Sequence, residues 1–207
     1  MTLYVPAHFR IEDRARMVEF MRRNAFATVV SASESGLSAS HLPLLIEADG
    51  DKVRLRGHFA RANPHWQSVE AAKEVLVIFT GPHAYVSPTW YATHPSVPTW
   101  NYTAVHATGK VRLTDEAELH EIVSELAAFY EAGNAPPWRM SEQPAPYVSA
   151  MLGAIVGFEL DVERLEGKFK LSQNRPVEIA RVAEKLEASG EKALASLMRE
   201  HAPAGKG

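Results

Sequence analysis

The alternation of apolar and polar positions divides the chain into a strand-rich middle flanked by helices. From about Asp13 to Asn24 the apolar residues Met17, Phe20 and Met21 recur at helical spacing, and Asp13 is placed to cap the first turn. Beyond Phe26 the period shortens to two. Phe26–Ala32 and Leu37–Ile46 read as strands joined by the turn Glu34-Ser35-Gly36. Asp49-Gly50-Asp51 then turns the chain into Val53–Ala60, where Val53, Leu55, Gly57 and Phe59 alternate with Arg54, Arg56 and His58. Asn63–Ala72 predicts one or two helical turns opened by Pro64, followed by strands at Val75–Thr80 and Ala84–Ser87. In Trp100–Leu113, Val105, Ala107, Val111 and Leu113 share one face, and Tyr102, His106, Thr108, Lys110 and Arg112 share the other.

An amphipathic helix follows over Glu116–Ala132, with Leu119, Ile122, Val123, Leu126, Phe129 and Tyr130 as its stripe and Asp115 and Glu118 as a capping signal. Gly133–Pro146 holds four prolines and reads as a loop, then Tyr147–Leu152 as a short helix and Ile155–Leu165 as a strand. Two helices, Pro176–Ala188 and Glu191–His201, close the pattern. The expected fold is mainly β with α additions: a small barrel of short strands over residues 1–175, and a helical extension over 176–207. One strand face packs a core. The opposite face, rich in His, Arg, Lys and Tyr, is where function is sought.

Composition narrows the chemistry. Lys+Arg 22 against Asp+Glu 25 gives a formal net charge of −3, so nucleic acid would have to meet a local basic patch. With no cysteine, disulfides, thiolate zinc sites, iron–sulfur clusters and cysteine nucleophiles are all excluded, which fits a reducing compartment. The longest apolar runs, such as Val75–Phe79, fall far short of a membrane span, and the start has neither a basic nor an apolar leader segment, so a cytoplasmic protein is expected. No G-x-G-x-x-G, G-x-x-x-x-G-K-[ST] or G-x-S-x-G occurs, which argues against a Rossmann turn, a P-loop and a nucleophile elbow. The nine histidines show no H-E-x-x-H or H-x-H spacing, and no metal site is expected.

Three segments carry more than turns require. Gly57–Trp66 delivers His58, Arg61 and Asn63 into a turn before a helix start, where backbone amides and a guanidinium supply donors to an anion. Tyr85–Tyr102 holds two Trp and three Tyr, rings that suit a flat heteroaromatic ligand or a subunit interface. Gly167–Pro176 sets Lys168 and Lys170 on one side of an extended stretch that leads through Gln173, Asn174 and Arg175 to another helix start. Two anion sites around an aromatic cluster describe a phosphorylated heteroaromatic cofactor, with Arg61 and Arg175 as the expected phosphate clamp.

Six motifs in order, namely Tyr4–Phe9, His41-Leu42-Pro43-Leu44, His58–Trp66, Phe79–Tyr85, Pro98–Tyr102 and Leu171–Arg175, resemble the PaiB-like family, whose members are called FMN-binding negative transcriptional regulators. The likeness runs from about Leu3 to the first C-terminal helix. It implies an FMN-binding split barrel, related to pyridoxamine-phosphate oxidase and flavin reductases, that works as a homodimer with FMN near the subunit interface. The resemblance assigns His41, Leu42 and Pro43 to the strand lining the flavin ring. It assigns His58, Arg61 and Asn63 to the phosphate-binding turn, and Trp100, Asn101 and Tyr102 to the strand across from the ring. Lys168, Gln173, Asn174 and Arg175 are placed toward the phosphate or the partner subunit. Ser40 departs from the asparagine expected before His41.

The dimer expectation rests also on the row Tyr102, His106 and Thr108 and on the aromatic loops. For direct DNA contact the chain offers Lys168, Lys170, Arg175, Arg181 and Lys185, but Glu178, Glu184 and Glu187 offset them, and Ser189-Gly190 makes a poor helix-turn-helix. A DNA-binding regulator, a flavin sensor acting through a regulatory protein partner, and an FMN-dependent oxidoreductase all stay open. Catalytic residues are unassigned, with His41, His58 and Tyr102 the candidate proton donors.

Overall fold

A computed structural model describes residues 2–34 and 36–202. Ser35 of the expected turn and the last five residues of the expected C-terminal extension lie outside them. Eight strands hydrogen-bond in the order β3-β2-β6-β7-β8-β5-β4, with β1 (Arg10–Ile11) on β8, and the order runs open from β3 to β4. The strands are β2 (Phe26–Ser33), β3 (Gly36–Pro43), β4 (Leu45–Asp49), β5 (Lys52–Ala60), β6 (Val75–Val86), β7 (Thr99–Leu113) and β8 (Ile155–Lys170). The helices are α1 (Arg14–Arg23), α2 (His65–Ala71), α3 (Glu116–Glu131), α4 (Ala145–Gly153), α5 (Ile179–Ala188) and α6 (Lys192–Glu200). The mainly β fold with added helices is therefore present. None of the described helices is long and apolar enough to cross a membrane.

The chain forms two compact units. The first comprises residues 1–17, 80–105 and 166–207, and the second residues 18–79 and 106–165. In the second unit β2 and β3 form a hairpin in register from Phe26↔Pro43 to Ser33↔Gly36. β4 and β5 pair around Gly50, whose φ of 55° is the left-handed backbone that a tight hairpin turn requires. β5 pairs with β8 from Arg54↔Asp161 to Ala60↔Ile155. Alternate residues bury Val29, Leu55, Phe59, Val77, Phe79, Phe158 and Leu160, and α3 adds Ile122. Phe59 and Phe158 meet at 4.9 Å between ring centroids. Asp115 and Glu118 close the expected capping box at the start of α3.

In the first unit β1 meets β8 at Arg10↔Lys168, while Val182 and Leu186 of α5 and Leu194 and Met198 of α6 are fully buried. These two helices show apolar residues at helical spacing and pack on each other, as the pattern requires.

Four expectations need correction. Leu37–Ile46 is two strands, because Pro43 has no N–H to continue a ladder and Leu44 N–H turns to the Ala25 carbonyl at 3.0 Å. Val75–Thr80 and Ala84–Ser87 are one strand. The Gly81-Pro82 pair does not break it, and the Pro82 carbonyl accepts the Thr103 hydroxyl at 3.2 Å. Thr108 is buried rather than outward-facing, as are its neighbours Ala107 and Gly109, because β7 lies inside the strand order and is covered on both faces there. The strand expected to end at Leu165 runs on through Gly167 to Lys170, and the extended stretch that carries both lysines is its continuation.

Candidate functional site

The thirteen expected cofactor residues divide between the units: His41, Leu42, Pro43, His58, Arg61 and Asn63 in the second, the other seven in the first.

In the second unit, Asn63 belongs to a buried hydrogen-bond chain. Its Nδ2 donates to Ser40 Oγ at 3.0 Å, its Oδ1 accepts His65 N–H at 3.1 Å, and Ser40 Oγ and Ser31 Oγ lie 2.7 and 3.0 Å from His65 Nδ1 and Nε2. In the neutral ring one nitrogen donates to a serine hydroxyl and the other accepts from one, so both hydroxyls are engaged, and burial disfavours the charged ring. His65 is thus a neutral pin tying α2 to β2 and β3. Ser40, where the sequence departs from the expected asparagine, faces inward to complete it. The turn that follows β5 is closed by Arg61, whose Nε and Nη2 donate to the Gly153 and Ile155 carbonyls at 2.8 and 2.9 Å, leaving Nη1 without a partner among the described residues. His58 Nδ1 is buried with no hydrogen-bond partner among the described residues. His41 is exposed, bonds Thr28 Oγ1 at 2.9 Å, and lies beside the exposed Phe26 ring.

In the first unit, the period-two geometry of three neighbouring strands builds a strip. β6 presents His83 and Tyr85, β7 presents Trp100 and Tyr102, and β8 presents Lys168 and Lys170. The Trp100 ring, 54% exposed, lies 6.3 Å from both His83 and Tyr85. Lys168, only 7% exposed, places Nζ 5.3 and 5.2 Å from the Tyr4 and Tyr102 ring centroids and donates to the Tyr4 carbonyl at 2.9 Å. Lys170 Nζ donates to Thr99 Oγ1 and, at 2.7 Å, to the Trp100 carbonyl. Burial, with the Lys168 charge adding to it, pushes the Lys170 amine below the ordinary lysine range. Neither lysine has a carboxylate partner among the described residues.

The rest of the expected set in this unit turns inward. Asn101 is fully buried and donates to Ser172 Oγ at 2.9 Å and to Met198 Sδ at 3.4 Å. Ser172 sits at φ 68°, a left-handed conformation that few non-glycine residues adopt. Gln173 closes its own turn on Leu171 N–H and the Phe169 carbonyl. Arg175 stacks 4.8 Å over Tyr91 and donates to Ser96 Oγ at 2.9 Å, while Asn174 is exposed. Glu178, absent from the expected set, accepts Ala92 N–H, Thr93 N–H and the Thr93 hydroxyl at 2.6–3.0 Å, which holds its carboxyl below the usual range. The expected helix start at Pro176 is a 3-10 turn, and α5 begins only at Ile179.

Burial lowers the pKa of His58 and His65 in one unit and of His201 in the other below the ordinary 6.5. A histidine depressed in the folded state contributes stability above its unfolded value, and this is lost as pH falls from 6.5 through the folded value. A second loss follows in strong acid, where Arg112 holds Glu118 down to about 2. The urea midpoint is therefore expected to fall between pH 7.5 and pH 5.5, and less so in His65→Gln. A midpoint flat over that range would contradict the neutral pin.

The family described as "Putative FMN-binding domain" matches residues 3–164. The protein "Protease synthase and sporulation protein PAI 2" of Bacillus subtilis is 38% identical over 173 residues, spanning 84% of this chain and 83% of that relative. An uncharacterized protein of Emericella nidulans is 33% identical, over 75% of this chain and 78% of its own. Among solved structures, the flavocytochrome Anf3 of Azotobacter vinelandii superposes with a TM-score of 0.59 at 16% identity, covering 80% of this chain and 72% of that one. A FAD and heme binding protein of Mycobacterium smegmatis also gives 0.59 at 16% identity, over 78% and 73%. At such identity these two speak to fold alone, and the fold they share with this chain is the split barrel. The chain belongs to the PaiB-like family of FMN-binding proteins.

Proposed function

We propose that the chain is a cytoplasmic FMN-binding regulator that anchors the flavin phosphate on Lys168 and Lys170 and packs the flavin ring on Trp100, Tyr85 and His83. The observation that carries this reading is the lysine pair. Cations taken out of water without a carboxylate are costly, and a bound dianion offsets that cost. The exposed rings beside them suit a flat heteroaromatic ligand. FMN supplies reversible redox chemistry when bound, and the protein's part is to hold and tune it. The cysteine-free composition supports a reducing compartment. The regulatory role is what the family resemblance implies, and the Bacillus relative is named a protease synthase and sporulation protein.

A second anchor is favoured by one observation in the other unit, the buried Nδ1 of His58, which has no partner among the described residues, with Nη1 of Arg61 as its companion donor. Calorimetric titration separates the two anchors. With the lysine anchor, FMN binds more tightly than riboflavin, which lacks the phosphate. Lys170→Ala then erases most of that difference, about 10–100-fold for a lost charge-assisted hydrogen bond, while Arg61→Ala leaves it. The reverse pattern would move the phosphate to the His58–Arg61 turn. Equal affinity for FMN and riboflavin would contradict both.

The regulatory role extends to assembly. The proposed homodimer is supported by exposed Phe26, Tyr85, Trp100 and Tyr147, and sedimentation of the FMN-loaded chain as a monomer at micromolar concentration would refute it. Of the five basic residues offered to DNA, Lys168 is buried, Lys170 half-buried and Arg175 stacked on Tyr91. A regulatory protein partner is accordingly the better-supported route, and a steep salt dependence of duplex binding would favour DNA instead.

A further inference from the structure

We infer that Lys170 is a reactive amine, a site that captures small aromatic aldehydes as an imine. Four features of its place in the fold support this. Its Nζ is fixed by two acceptors on β7, the Thr99 hydroxyl and the Trp100 carbonyl, which the two N–H bonds of the neutral amine can satisfy while its lone pair stays free. No carboxylate pairs with it among the described residues, whereas the surface lysine Lys110 faces Glu163 at 3.8 Å. Its neighbour two positions back on the same face of β8 is another lysine, Lys168, whose charge opposes a second one beside it. Half-burial beside the Trp100 carbonyl leaves an aldehyde access, and the exposed Trp100 side chain on the neighbouring strand offers a flat ring.

The depression of the Lys170 amine by burial and by Lys168 agrees with this geometry, because the neutral amine is the nucleophile. In the reaction the ammonium gives a proton to solvent, and the freed lone pair on Nζ attacks the carbonyl carbon. The carbinolamine then loses its oxygen as water together with the two remaining amine protons. The net change is amine plus aldehyde to imine plus water, with no oxidant or reductant. Lys168 adds a preference for an aldehyde that carries a carboxylate.

The test treats the full-length protein with benzaldehyde or formylbenzoate, traps the imine by adding cyanoborohydride, and locates the adduct by peptide mass spectrometry. Most of the trapped label is expected on Lys170, more from formylbenzoate than from benzaldehyde. Labelling of Lys170 should set in at lower pH than that of Lys110 or Lys192, a comparison made within the unmodified sequence and independent of any variant. Lys170→Arg is expected to abolish the main adduct, and Lys168→Met to slow its formation at neutral pH. Label spread over the exposed lysines, or a Lys170 profile coinciding with that of Lys110, would overturn the inference. A parallel arm with added FMN tests the phosphate anchor separately. FMN that binds without protecting Lys170 would contradict the lysine anchor and leave the reactive amine standing.

Discussion

Replacing Gly109 by alanine is expected to destabilise the second unit by about 3 kcal/mol or more, enough to unfold a marginal domain, since overpacking a close contact costs up to that and occasionally beyond. A Cβ at this position would lie 2.0 Å from the Asp161 carbonyl oxygen and 2.9 Å from Leu160 Cδ2. The nearer atom is backbone, and Asp161 is fixed by its pairing with Arg54, so no side-chain rotation relieves the overlap. Gly133→Ala is the control, because nothing lies within 4 Å of the Cβ there. Urea unfolding of the two variants reads the difference. A Gly109→Ala midpoint equal to that of the parent chain would mean that β7 and β8 do not approach as described.

Saturating FMN is expected to raise the melting temperature by about 5–10 °C. A ligand at 100 times its dissociation constant stabilises by about 2.7 kcal/mol, and a chain of this size gains about 2–4 °C for each kcal/mol. At the same concentration riboflavin should give a smaller shift. The doubly substituted Lys168→Met, Lys170→Ala chain should reduce the FMN shift to that of riboflavin. An FMN shift that survives both substitutions would contradict the lysine anchor while leaving FMN binding intact.

Much of the architecture was legible because local chemistry and tertiary structure agree. Asp115 and Glu118 announce α3 by a capping box that the folded chain forms, and the alternation of Val53, Leu55, Gly57 and Phe59 is the buried face of β5. The departures lie where tertiary neighbours decide what a glycine or proline does: Pro43 ends a strand that its apolar flanks would continue, whereas Gly81-Pro82 does not end one. Gly81-Pro82 reads as a break, yet neighbouring backbone carries the strand through it. Gly109 reads as one more position in an alternating strand, and only the close approach of β8 shows why no side chain fits.

The candidate site was legible in composition and less so in role. Period two places Lys168 beside Lys170 and Trp100 beside Tyr102, so the basic and aromatic faces follow from spacing. That Asn101, Gln173 and Arg175 spend their polar groups on Ser172, their own turn and Ser96 depends on contacts across 71–79 residues for the first and last, beyond any local pattern. The His65 network was missed for the same reason. Its one local signal is Asn63 two residues before His65, placed to accept the first amide of α2. Glu178 had no local signal, since the loop it holds lies some 85 residues earlier.

The most direct measurement of the central claim is the visible absorbance of the purified chain mixed with excess FMN and passed through a desalting column. The account predicts a flavin band that elutes with the protein at about one FMN per chain, is displaced when inorganic phosphate is raised, and is absent from the Lys168→Met, Lys170→Ala chain. FMN retained equally by that doubly substituted chain, or riboflavin retained as well as FMN, would contradict it.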